Sequence, residues 1–245
     1  MELEKSMIVK FTISPTALIY MTGMMLLDSV GLYFALSSVK NLEVGAIWYS
    51  SSVLLLSASI SAGFSNTLIY QSSSLAYLIR FSKLKLMRYV ISLLLGVSVS
   101  VVLFSLLFGG IIAPLVAKVA IGVTHTFVSL SNIVPFTISA LVAGFFIVSL
   151  TFLVIVILLL KVGARASNYV YIIFLALLVL TQLSPQTSSL NPIFLAEDAI
   201  THSVINQHFS PYILELLGFS LLLSFLSTTL LRRLESLRLE EVIWK

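Results

Sequence analysis

Three sets of side chains in this sequence could carry chemistry, and each has a plainer reading beside it. The first is a single acid, Asp28, at the midpoint of a run from Thr16 to Ser38 that holds no other charge. A carboxylate at mid-membrane depth is costly enough to mark ion coupling or substrate contact. The plainer reading is an acid that only packs, hydrogen-bonded to Ser57, Ser59 or Ser61 of the next apolar run. The second set is Glu197, Asp198 and His202, where Asp198 and His202 stand one helical turn apart and could share a metal ion. One carboxylate and one imidazole make an incomplete ligand set, and a surface hydrogen bond is the plainer use. The third is the stretch from Ser72 to Tyr89, which carries Arg80, Lys83, Lys85 and Arg88 and no acid. Serines that can cap a helix precede Leu75, Leu78 and Ile79 at helical spacing, so a short amphipathic helix is predicted there. Such a loop either rests on anionic lipid or docks a partner protein.

Several chemistries are excluded by what the sequence lacks. His125, His202 and His208 fall outside the centres of the apolar runs, so paired histidines for a haem between helices are missing. No phosphate-binding glycine loop, nucleophile elbow or paired-histidine zinc motif is present, and there is no cysteine. No catalytic residue, cofactor or metal is expected, and transport would draw its energy from an ion gradient or a separate subunit. Glu215, one turn into the last apolar run, is placed to reach water at the interface.

Elements able to position these residues must be membrane helices. Hydrophobic residues make up 59% of the 245 residues and charged residues 10%, with a mean hydropathy of +1.10. Soluble domains carry about a quarter charged residues, so an all-α, multi-span membrane protein is expected. The net charge of +4 reflects cations at the ends of apolar runs rather than a nucleic-acid footprint. Six spans are predicted, at about 16–38, 47–70, 89–112, 135–160, 168–184 and 212–231, within one transmembrane domain over 1–245. Residues 1–15 read as an interfacial amphipathic segment, and no cleaved signal peptide is expected. The link from Val39 to Ala46 is short, and Trp48 and Tyr49 read as an interfacial belt. Gly109-Gly110 and Pro114 are expected to end the third span, with Leu115 to Asn132 an extension of it or a shallow helix. Asn191-Pro192 is a cap followed by a first-turn proline. It opens a short helix with Glu197 and Asp198 near its start and an apolar stripe of Ile193, Ala196, Ile200 and Val204. With both termini and the basic loop in the cytoplasm, all of the 14 Lys and Arg except Lys40 and Lys118 lie inside.

This order of parts resembles the membrane subunit of ABC-2-type exporters. The run Ser73-Ser-Leu-Ala-Tyr-Leu-Ile-Arg-Phe-Ser-Lys-Leu-Lys-Leu-Met-Arg-Tyr is similar to the family's loop between spans 2 and 3: a small residue, Leu-x-x-Leu, a serine turn, then a cation opening span 3. An early acid and a proline before the serine turn, frequent in the family, are absent. The segment from Gln186 to Ser210 resembles the family's re-entrant outer helices. The resemblance implies an ATP-driven export permease in the cell membrane, without bound cofactor. Its expected partners are a separate ATP-binding-cassette subunit, a second permease copy or a paired permease, and membrane lipid. In that reading Leu75, Leu78, Ile79, Arg80, Lys83, Lys85 and Arg88 form the coupling loop. A gradient-driven transporter or channel using Asp28, and a membrane scaffold subunit that transports nothing, stay open beside it.

Overall fold

A computed structural model gives the fold, describing residues 15–70, 86–169, 172, 176 and 191–235. Those residues are 88% helix and contain no strand. The helices are α1 (Pro15–Val39), α2 (Leu42–Tyr70), α3 (Leu86–Leu107), α4 (Ala113–Ile121), α5 (Ile133–Val162), α6 (Pro192–Ile205) and α7 (Ile213–Leu231). A π-helical turn, Phe108–Ile112, joins α3 to α4, and short 3-10 turns follow α5 and α7. Among the described residues, five helical stretches are long and apolar enough to cross a membrane: Thr22–Val39, Leu42–Phe64, Tyr89–Ile121, Ile133–Val162 and Ile213–Leu231. The chain is built as a multi-pass membrane protein. Most of the expected fifth span, residues 1–14, residues 236–245 and the loop holding Leu75, Leu78, Ile79, Arg80, Lys83 and Lys85 lie outside the described residues. Arg88 falls in the first turn of α3.

At the centre stands α5, which packs against α2, α3, α6 and α7. Small residues let its neighbours close in: Ala140, Ala143 and Gly144 are all buried, and a Cβ on Gly144 would lie 3.4 Å from Val101 Cγ1 on α3. Without a hydrophobic force between helices in lipid, such close packing and hydrogen bonds supply the cohesion. The Ser149 and Ser224 hydroxyls meet at 3.1 Å between α5 and α7. The other α7 hydroxyls turn back on their own helix, as in Ser220 to the Leu216 carbonyl at 2.7 Å, so the hydroxyls of α7 are satisfied.

Two boundaries differ from the sequence expectation, each for a local reason. The α1–α2 link is only Lys40 and Asn41, because the Asn41 side chain accepts the Glu43 N–H at 2.8 Å and starts the helix at Leu42. Gly109-Gly110 does not end the third span. The helix widens there, with the Ala113 N–H donating to the Phe108 carbonyl five residues back, and resumes through Pro114, tolerated at the start of α4. The helix then stops at Gly122 with φ of 76°, a left-handed position that favours glycine. Residues 122–132 return as a loop pinned by Asn132, whose amide donates to the Phe127 carbonyl at 2.9 Å and whose oxygen accepts the Ser129 N–H at 2.7 Å.

Candidate functional site

Ser50, Ser51 and Ser52 follow one another on α2, and successive helical residues point about 100° apart. The three hydroxyls therefore serve three directions. Ser50 donates to the Ala46 carbonyl of its own helix at 2.9 Å. Ser51 donates to Glu197 Oε1 on α6 at 2.6 Å. Ser52 faces Asp28 on α1. One short piece of α2 thus stands between two carboxylates carried by two different helices.

On the α1 side, Asp28 is 3% exposed and Ser52 1%, yet neither Asp28 Oδ2 nor Ser52 Oγ has a hydrogen-bond partner. Trp48 fixes the register of this pair from one turn away. Its Nε1 donates to the Asp28 backbone carbonyl at 3.3 Å, and its ring lies where a Cβ on Gly31 would be. The expected serine partners take no part: Ser57 donates to the Val53 carbonyl at 2.8 Å and Ser61 to the Ser57 carbonyl at 2.6 Å, while Ser59 has no partner.

On the α6 side the geometry is closed. Asn191 caps the helix by accepting the Ile193 N–H at 3.0 Å, and Pro192 occupies the first turn. The stripe of Ile193, Ala196, Ile200 and Val204 is buried against α2, α5 and α7, so this helix is part of the bundle rather than a segment lying on its surface. Burial pushes the Glu197 carboxyl above its ordinary range, the Ser51 hydroxyl pulls it down, and the neighbouring Asp198 pushes it up again. Asp198 Oδ2 accepts from Ser210 at 2.9 Å, and His202 Nδ1 lies 3.5 Å from the His208 carbonyl. Asp198 and His202 are engaged separately, and no group of three metal-ligating side chains occurs among the described residues. Glu215 is exposed at the start of α7.

A third feature of α2 escaped the sequence reading. Tyr49 is fully buried, not part of an interfacial belt. Its ring stacks on Phe108, Phe127 and Phe136 at centroid distances of 5.8, 5.5 and 5.7 Å. Its hydroxyl donates to the Ser105 carbonyl at 2.7 Å, and it presses on Gly109 where any Cβ would collide. Two paired signals, Trp48 with Gly31 and Tyr49 with Gly109, were present in the sequence as an aromatic beside a glycine on another helix. Only the helix register turns them into contacts.

Chemically, the site can hold protons and accept hydrogen bonds at two carboxylates. No family model, curated protein or solved structure matches this chain.

Proposed function

We propose that this protein is the membrane-spanning permease subunit of an ATP-driven ABC-2-type exporter in the cell membrane, with both termini and the loop at 72–89 in the cytoplasm. The observation that carries this reading is the short helix α6, placed immediately before the last span and packed into the bundle against α2, α5 and α7. A capped helix inserted at that point is what the resemblance to the exporter family implies, and in this chain the Ser51–Glu197 bond ties it to span 2. Charge placement supports the orientation. Lys161 in the last turn of α5 gathers with Arg165, Arg232 and Arg233 just past the ends of α5 and α7, whereas the opposite end holds Lys40 and Lys118. Energy would enter through the loop of Leu75, Leu78, Ile79, Arg80, Lys83, Lys85 and Arg88, docked on a separate ATPase.

Purification of the full chain in mild detergent from its own cells tests this. A co-purifying subunit that hydrolyses ATP is expected, retained in Lys83→Ala/Lys85→Ala and lost in Leu78→Ala/Ile79→Ala, because truncating a buried apolar anchor costs about 2 kcal/mol and rim charges cost less. A particle that binds no ATPase under any nucleotide condition defeats the reading. One observation favours a second reading, a gradient-driven transporter: the buried Asp28 carboxyl is left without a partner.

A further inference from the structure

The α1–α2 contact holds an acid and a hydroxyl that are both buried and both unused. The serines around Ser52 show what a satisfied hydroxyl does here, since Ser50, Ser57 and Ser61 each donate to the carbonyl one turn back. A serine hydroxyl that donates in this way keeps its lone pairs free as acceptors. It can then receive a hydrogen from a carboxylic acid. Ser52 makes no such bond, so its hydroxyl can accept from the acid or donate to the carboxylate, and the choice falls to the surroundings of Asp28.

A buried anion would need a cation, and none is placed to help. Packed against α1 are α2 and α4. Among the described side chains their titratable groups are Glu43 and Tyr49 on α2 and Lys118 on α4, and Tyr33 lies on α1 itself. Glu43 sits about two and a half turns along α2 from Ser52. Tyr49 spends its hydroxyl on the Ser105 carbonyl. Lys118 and Tyr33 are exposed, and among the described residues Asp28 makes no ion pair. An unpaired buried charge is disfavoured far more than the neutral acid.

We propose that Asp28 and Ser52 form a proton-binding site inside the membrane. The carboxyl carries the proton as the acid, donating its O–H to Ser52 Oγ. The proton passes to water only when α1 shifts off α2 and solvent reaches Oδ2, leaving the carboxylate behind. The inference rests on the geometry of this contact and on neither functional reading above. Movement of α1 is the trigger because Leu26, Leu27, Val30 and Phe34 on its opposite face are exposed, which leaves that face lightly held.

The chain has only two aspartates, Asp28 and Asp198, which makes the site separable by infrared spectroscopy. The full chain is reconstituted in lipid bilayers at neutral pH with carbon-13 in the aspartate side-chain carboxyl. Wild type and Asp198→Asn should both show a label-sensitive band in the carboxylic-acid region, absent from Asp28→Asn and moved to higher frequency in Ser52→Ala. Only carboxylate bands in Asp198→Asn overturn the proposal. So does an acid band that survives Asp28→Asn and disappears in Asp198→Asn. An unmoved band in Ser52→Ala removes Ser52 from the site. If Asp28→Asn fails to insert, the labelled Asp198→Asn spectrum decides alone, since Asp28 is then the one aspartate present.

Discussion

Tyr49 and Ser52 lie less than one turn apart on α2, and their surroundings are opposites. Around Tyr49 everything is spent: three stacked rings, a hydroxyl bonded to the Ser105 carbonyl, and a glycine that makes room for the ring. Around Ser52 there is burial without bonding, and the same holds for the Asp28 carboxyl it faces. A buried polar group left unpaired costs about 1–3 kcal/mol, so the second region is held in place by its neighbours. The first region is where stability is built. The second is where stability has been given up, and functional sites are the usual places for that.

Five substitutions can break or sharpen this contrast. Tyr49→Ala should do the most damage, about 3–5 kcal/mol, because it opens a large cavity between α2, α3 and α5. Denaturant unfolding in lipid-detergent mixtures measures it, and a loss no larger than that of Ser52→Ala would erase the distinction. Gly109→Ala comes next, at about 1–3 kcal/mol, because the new methyl collides with the Tyr49 ring and hydroxyl inside a closed cluster. Gly31→Ala should cost about 1–2 kcal/mol by lifting Trp48 from α1, less than at Gly109 because Trp48 is only half-buried whereas Tyr49 is fully buried. Trp48 fluorescence in a Trp244→Phe background reports the displacement, as the chain has only two tryptophans.

Glu197 offers a smaller effect with a definite sign. Its folded-state carboxyl titrates above the ordinary value of 4.5, so between that value and the raised one the folded state holds more protons than the unfolded state. Stability must then fall as pH rises through this window and level off above it. Glu197→Gln should flatten that dependence, read by hydrogen exchange of α6 against pH. Smallest of all is Ser52→Ala, expected to cost about 0.5–1 kcal/mol, because the Asp28 acid loses the hydroxyl proposed to accept its hydrogen bond.

How far the sequence carried the fold is clearest at the link between α1 and α2. The apolar runs themselves announce helices, and Asn191-Pro192 announces the start of α6, because both signals are local. Which residues face Asp28 is not a local property. A link spanning Val39 to Ala46 sets Ser57 opposite Asp28, whereas the observed Lys40-Asn41 turn moves the antiparallel register by about one helical turn and brings Ser52 there instead. The asparagine cap that tightens the turn is visible in the sequence, but its consequence for the carboxylate's neighbour depends on two whole helices. Gly109-Gly110 misled for a related reason. Glycine weakens a helix on its own, and here the Tyr49 ring on the neighbouring helix uses the space.

The wide turn at Phe108–Ile112 makes one rod of what would otherwise be two helices, and a rod has a length. The apolar stretch Tyr89–Ile121 comprises 33 residues, about 50 Å of helix, against a hydrocarbon core of about 30 Å. Transmembrane helices lean by about 20° on average and seldom beyond about 40°. Tilt alone cannot hide this rod. Either the bilayer thickens around it, or α4 surfaces among the headgroups with the Lys118 ammonium at its tip, so lipid thickness becomes a variable that this protein can feel.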